Sequence, residues 1–237
     1  MTMLITTNPI LGKIQKHLEE YGLLSSIVGE KLDFEQDYLN ADFLGTTDGV
    51  GSVGSLKLFD SPINYINIVK KQKFVKCDFA MGGSVGMGVH LHSWWKMRFF
   101  ISFPDYIKLG PFDIGTISTI KKGLLRSKVE SFFWSGYQKL TTLPPGLIRD
   151  NVADTLYSDQ LLKKLMTECL LKERVILVSR YSPPKEKKAY STNSKIVIES
   201  KWKFQKDLFV EGSTLDMYER IAEIVKSTID NLKYHLR

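Results

Sequence analysis

Residues 89–103, VHLHSWWKMRFFISF, alternate in character along their whole length. Val89, Leu91, Trp95, Met97, Phe99, Ile101 and Phe103 share one parity, interrupted only by Ser93, while His90, His92, Trp94, Lys96, Arg98 and Phe100 share the other. Successive side chains of a strand point to opposite faces, so this period of two predicts one extended strand roughly 50 Å long. A strand of that length with one face apolar but for a single serine needs both a sheet beside it and a layer over it. The chain is therefore expected to be built around a sheet.

The flanking sequence supplies the other elements. SLKLF (55–59), YINIV (65–69) and FVKCDFAM (74–81) read as short strands, with turns at DSPIN and at the polar KKQK (70–73). Together with 89–103 they predict an antiparallel meander. VESFFWSGYQKL (129–140) reads as a further strand, and RVILVSRY with KIVIESKWKF as a hairpin around SPPKEKKAYSTNS. Three helices are expected. The first is capped by Asn8, opens on Pro9 and stops before Gly22, with Ile10, Ile14, Leu18 and Tyr21 at helical spacing. A central helix starts at Ser158 or Asp159 and runs to Cys169. A long C-terminal helix has Ser213 and Asp216 in capping-box positions, and Leu215, Tyr218, Ile221, Ala222, Val225, Ile229, Leu232 and Leu236 form its stripe. Strands in runs with helices at the ends predict an α+β fold, an antiparallel sheet packed with those helices. We expect one domain over 1–237, with sub-regions 1–45, 46–150 and 151–237. The first contains the acidic connector EKLDFEQDYLNAD.

At 237 residues the chain can bury a core without metal or disulfide staples, and Cys77 and Cys169 are too few for either framework. No apolar run approaches a membrane span, and MTMLITTNPIL lacks the basic and apolar regions of a signal peptide, so a cytoplasmic setting is expected. The net charge of +7 is uneven: −4 over 1–45, +7 over 46–150 and +4 over 151–237. Such a balance suits a polyanionic partner, and equally a lysine-rich soluble surface, since 26 of the 33 basic residues are Lys.

Two glycine clusters punctuate the basic region. GVGSVG (49–54) matches G-x-G-x-x-G, but a dinucleotide site needs a strand before the motif and a helix after it, and Pro62 falls where that helix would run. MGGSVGMG (81–88) is followed by alternating sequence rather than a helix. Both clusters are read as turns or bulges at strand ends.

The candidate site is the second parity of the long strand. His90, His92, Trp94, Lys96 and Arg98 interleave rings and cations, with Lys70, Lys71, Lys73 and Lys76 on the neighbouring segment. Rings stack on bases and cations track phosphates, so this face is expected to bind nucleic acid or another polyanion if exposed. Large aromatics favour cover, so the same residues equally predict a homo-oligomer interface. His90 and His92 supply only two of the three protein ligands that a catalytic zinc site uses. No nucleophile elbow, HExxH or kinase set is present, so neither catalytic residues nor a cofactor are expected. IVIESK (196–201) resembles the E-x-K strand of the PD…(D/E)xK nucleases. That resemblance implies a magnesium-binding Glu199 and a Lys201 assisting the attacking water. The family's further acid on the preceding strand has no counterpart in RVILVSRYSPP. Read from the residues alone, the segment is an edge strand with Glu199, Lys201 and Lys203 on its polar face.

Overall fold

The computed structural model describes residues 9–28, 49–81, 84–104, 107, 109, 113–122, 127–136, 147–169, 175–178, 195–200 and 212–233. Helix α1 spans Pro9–Glu20 and buries Leu11, Ile14 and Leu18. It ends in a Schellman motif. Gly22 takes φ 81°, its N–H donates to the Glu19 carbonyl (2.9 Å), and the Leu23 N–H donates to Leu18 (2.9 Å). Only glycine adopts that backbone cheaply, which is why the helix stops there.

Eight strands follow among the described residues: β1 (Ser25–Ile27), β2 (Gly49–Leu58), β3 (Tyr65–Met81), β4 (Ser84–Ser102), β5 (Asp113–Lys122), β6 (Ser127–Gly136), β7 (Val175–Val178) and β8 (Lys195–Ser200). They form one sheet in the order β1-β2-β3-β4-β8-β7-β5-β6, and every pairing is antiparallel. The fold is α+β as expected, but the meander holds only through β4. The β7–β8 hairpin is inserted between β4 and the β5–β6 hairpin.

Helices α2 (Leu147–Ser158), α3 (Gln160–Cys169) and α4 (Gly212–Lys233) complete the described elements. Their apolar faces and that of α1 join one core with Leu56, Ile66, Ile68, Met97, Phe99, Ile101, Ile114, Ile196 and Ile198. The stripe of α4 is buried from Leu215 to Ile229, and Tyr218 stacks on Phe99 with ring centroids 4.2 Å apart. Leu236 lies outside the described residues, as do Asn8, the acidic connector and the loop between β7 and β8. Among the described residues no helix is long and apolar enough to cross a membrane.

Three expectations are corrected. The KKQK segment is not a turn, and β3 runs unbroken through it, paired with β4. Lysine and glutamine are polar but impose no turn geometry; without Gly, Pro, Asn or Asp the backbone has no reason to reverse. The long strand begins at Ser84 rather than Val89, so Gly86 and Gly88 sit inside it. The central helical region is two helices, because α2 precedes the expected one. Its buried residues Val152 and Leu156 recur only every fourth position among Asp, Asn and Thr, which is a narrow stripe. Asp159 separates the two helices and caps α3, its Oδ1 accepting from the Leu162 N–H at 2.7 Å.

Candidate functional site

The register of β4 decides the character of the candidate face. One row across the sheet is Leu56, Ile66, Phe99 and Ile198 on β2, β3, β4 and β8, each no more than 1% exposed and facing the helices. The adjacent row is Ser55, Asn67, Arg98 and Glu199, at 1%, 3%, 0% and 0% exposure. This second face is therefore internal as well. Val69, Trp94, Phe100 and Val197 are buried on it without belonging to the helix-side core.

The burial of charge is solved by pairing. Glu199 accepts from Lys96 Nζ at Oε1 (3.1 Å) and from Arg98 Nε at Oε2 (3.0 Å). A single carboxylate bridging two cations satisfies both of its oxygens, which a buried ion set requires. Beside it, Asn67 Nδ2 donates to Ser55 Oγ (3.0 Å) and to the Gly54 carbonyl (3.3 Å). That second bond holds a bulge in β2, where the register shifts between Ser52 and Gly54. GVGSVG is thus part of a bulged strand, and the next element is β3, not a helix. A pyrophosphate cradle does not form from it.

These placements correct the expected binding platform at three positions. Trp94, Lys96 and Arg98 are 5%, 3% and 0% exposed, so none of them presents a free surface to a base or phosphate. The physical reason is that β4 is central in the sheet and is covered on both faces. Lys70 is half-buried and pairs with Trp95. For the remaining candidates the backbone register is described. Lys71 pairs with Trp94, Lys73 with His92, Lys76 with Val89 and His90 with Val75. Glu199 is likewise not on an edge strand, since β8 has β4 on one side and β7 on the other. Its carboxylate is buried and engaged by Lys96 and Arg98. Lys201 and Lys203 lie outside the described residues. Among the described residues no group of three His, Cys, Asp or Glu is arranged to hold a metal ion.

The sequence reading missed the bridging role of Glu199. The signal was present: one acid in the apolar run KIVIES, and two cations at spacing two on another apolar strand.

The outer part of the β3–β4 ladder has a different surrounding. β2 accompanies β3 as far as Gln72, and β8 accompanies β4 as far as Arg98. From Lys73↔His92 to Met81↔Ser84, nine residue pairs, the two strands are the only partners of each other among the described pairings. At about 3.3 Å per residue this ribbon is about 30 Å long.

A second charged group ties the helices together. Arg220 on α4 donates from Nε (3.3 Å) and Nη2 to Asp159, and from Nη1 to Glu223 (2.9 Å). The hydrogen bonds from the Arg220 guanidinium hold the Asp159 carboxyl below its ordinary value, and Asp159 with Glu223 pushes Arg220 up. Desolvation lowers Lys226, with Asp230 opposing it. No known protein family, characterised protein or solved structure matches this chain.

Proposed function

We propose that the protein is a binding protein rather than an enzyme, acting in the cytoplasm, and that the outer β3–β4 ribbon engages a polyanion, nucleic acid above all. The reading rests on one observation. Lys73, Lys76, His90 and His92 lie in the nine pairs of the β3–β4 ladder beyond its last described neighbour, and Lys71 stands two residues before them, where β2 still pairs with β3. A two-stranded ribbon is of a size to enter the major groove of a duplex, and lysines along it suit phosphates on either side. The excess of basic residues over 46–150 supports the same partner. Trp94, Lys96 and Arg98 then serve as the buried root of the ribbon.

A second reading draws on the same ladder. Phe74↔Leu91 and Ala80↔Val85 are wholly apolar pairs, and an isolated two-stranded hairpin is marginal in water. A ribbon of this composition suits packing against a second copy of the chain.

Filter binding to duplex and single-stranded DNA and RNA at low salt tests the first reading, with solution mass measured in parallel. If Lys71, Lys73 and Lys76 each meet a phosphate, they account for a slope of about −2 in log K against log salt on a single strand. Replacing all three by Glu should abolish the binding and leave thermal melting unchanged. Absence of affinity at low salt would refute the polyanion reading, and a dimeric mass would then favour the second.

A further inference from the structure

β8 docks in the middle of the sheet against a strand far away in sequence, and its apolar pattern does not say in which register. Ile196, Val197 and Ile198 are each fully buried, so both faces of the strand are apolar. Register is strongly specified when one face is apolar and the other polar, because a slip then exposes the wrong side chains. A strand apolar on both faces loses that instruction. The polar information in the described part of β8 is concentrated in Glu199.

We infer that the buried Lys96–Glu199–Arg98 set is a register lock that seats β8 on β4. In the observed register Glu199 lies opposite Arg98 and reaches Lys96 one same-face position along. A slip of one residue carries Glu199 to the helix side, opposite Met97 or Phe99, and separates a carboxylate from two buried cations. A slip of two residues one way sets it opposite Phe100, beyond reach of Lys96. A slip of two the other way sets it opposite Lys96 and places Val197 against Arg98. That last slip still leaves Arg98 one same-face position along, so the set does not select against it, whereas the one-residue slips and the slip to Phe100 each part the carboxylate from at least one cation. Buried ion sets add little net stability compared with apolar side chains of similar volume, and fixing registry is their best-attested use. The lock therefore acts on which pairing forms rather than on how stable the sheet is.

Disulfide trapping in the full chain tests this, with Cys77 and Cys169 replaced by Ser. Ser102 pairs with Lys195 in the observed register and both are half-buried, so S102C with K195C reports the native pairing. S102C with V197C reports the slip of two residues that sets Glu199 opposite Phe100. With the ion set intact, the native pair should cross-link and this slipped pair should not. With Lys96→Met, Arg98→Met and Glu199→Met combined, the slipped pair should cross-link to the same order as the native one. Native-only trapping in that folded triple variant would overturn the inference. If the triple variant does not fold, Arg98→Glu with Glu199→Lys decides, because it keeps one carboxylate between two cations. It should restore native-only trapping relative to Glu199→Lys alone, and failure to do so overturns the lock.

Discussion

Gly54→Ala is expected to destabilise the fold by about 3 kcal/mol, through two separable terms. Gly54 sits at the β2 bulge with φ 145°, a region that L side chains rarely adopt. Holding alanine there costs about 1–3 kcal/mol. A Cβ would also lie 2.6 Å from Leu11 Cδ1 and 3.6 Å from its Cγ. Leu11 is 3% exposed in the core, so it moves only by displacing neighbours, at a further cost of about 1–3 kcal/mol. Loss of glycine's freedom in the unfolded chain offsets about 0.5–1 kcal/mol of this. For a chain of this size the net corresponds to a fall in Tm of roughly 6–12 °C. Chemical denaturation with thermal melting measures it, and Leu11→Ala separates the terms. Leu11→Ala alone should cost about 2–5 kcal/mol, while the double variant should cost about 1 kcal/mol less than the sum, because the clash has gone. A Gly54→Ala cost below about 0.5 kcal/mol would refute the whole account. Strict additivity would refute the contact with α1 and leave only the backbone strain.

Phe99→Ala should cost about 3–5 kcal/mol, since Phe99 is 1% exposed and stacked on Tyr218; a loss near 1 kcal/mol in denaturant melts would contradict its place at the sheet–helix interface. Ending the chain before Gly212 removes α4 and uncovers Phe99, Met97 and Ile198, so an insoluble or unfolded product is expected. A soluble product with unchanged melting would count against α4 as part of the core. Asp159→Asn keeps an N-cap for Leu162 but removes the charge that meets Arg220. Asp159 is held below its unfolded value, so its stabilisation is present above about pH 4 and is lost as pH falls through the folded value. The gap between wild type and Asp159→Asn, at most about 1 kcal/mol for a partly exposed pair, should therefore close in acid. A gap that persists unchanged at low pH would show that the charge contributes nothing.

What the sequence determined by itself is local. The alternation through 89–103 placed Met97, Phe99, Ile101 and Phe103 on one face, and all four are buried in the helix-side core. The apolar stripe of α4, the stop of α1 at Gly22 and the β7–β8 hairpin were legible for the same reason. Periodicity and backbone preference act over a few residues and leave their mark in order along the chain. The tertiary structure alone decided what lies across each face. A period of two says that the faces of β4 differ, but not that both are covered. His90, His92, Trp94, Lys96 and Arg98 therefore read as one surface, and yet Trp94, Lys96 and Arg98 are interior. Likewise KIVIES declares a strand without declaring its neighbours, and Glu199 became the partner of two cations only once β8 was inserted beside β4. Contacts between residues about a hundred positions apart depend on strand order, which no local pattern encodes.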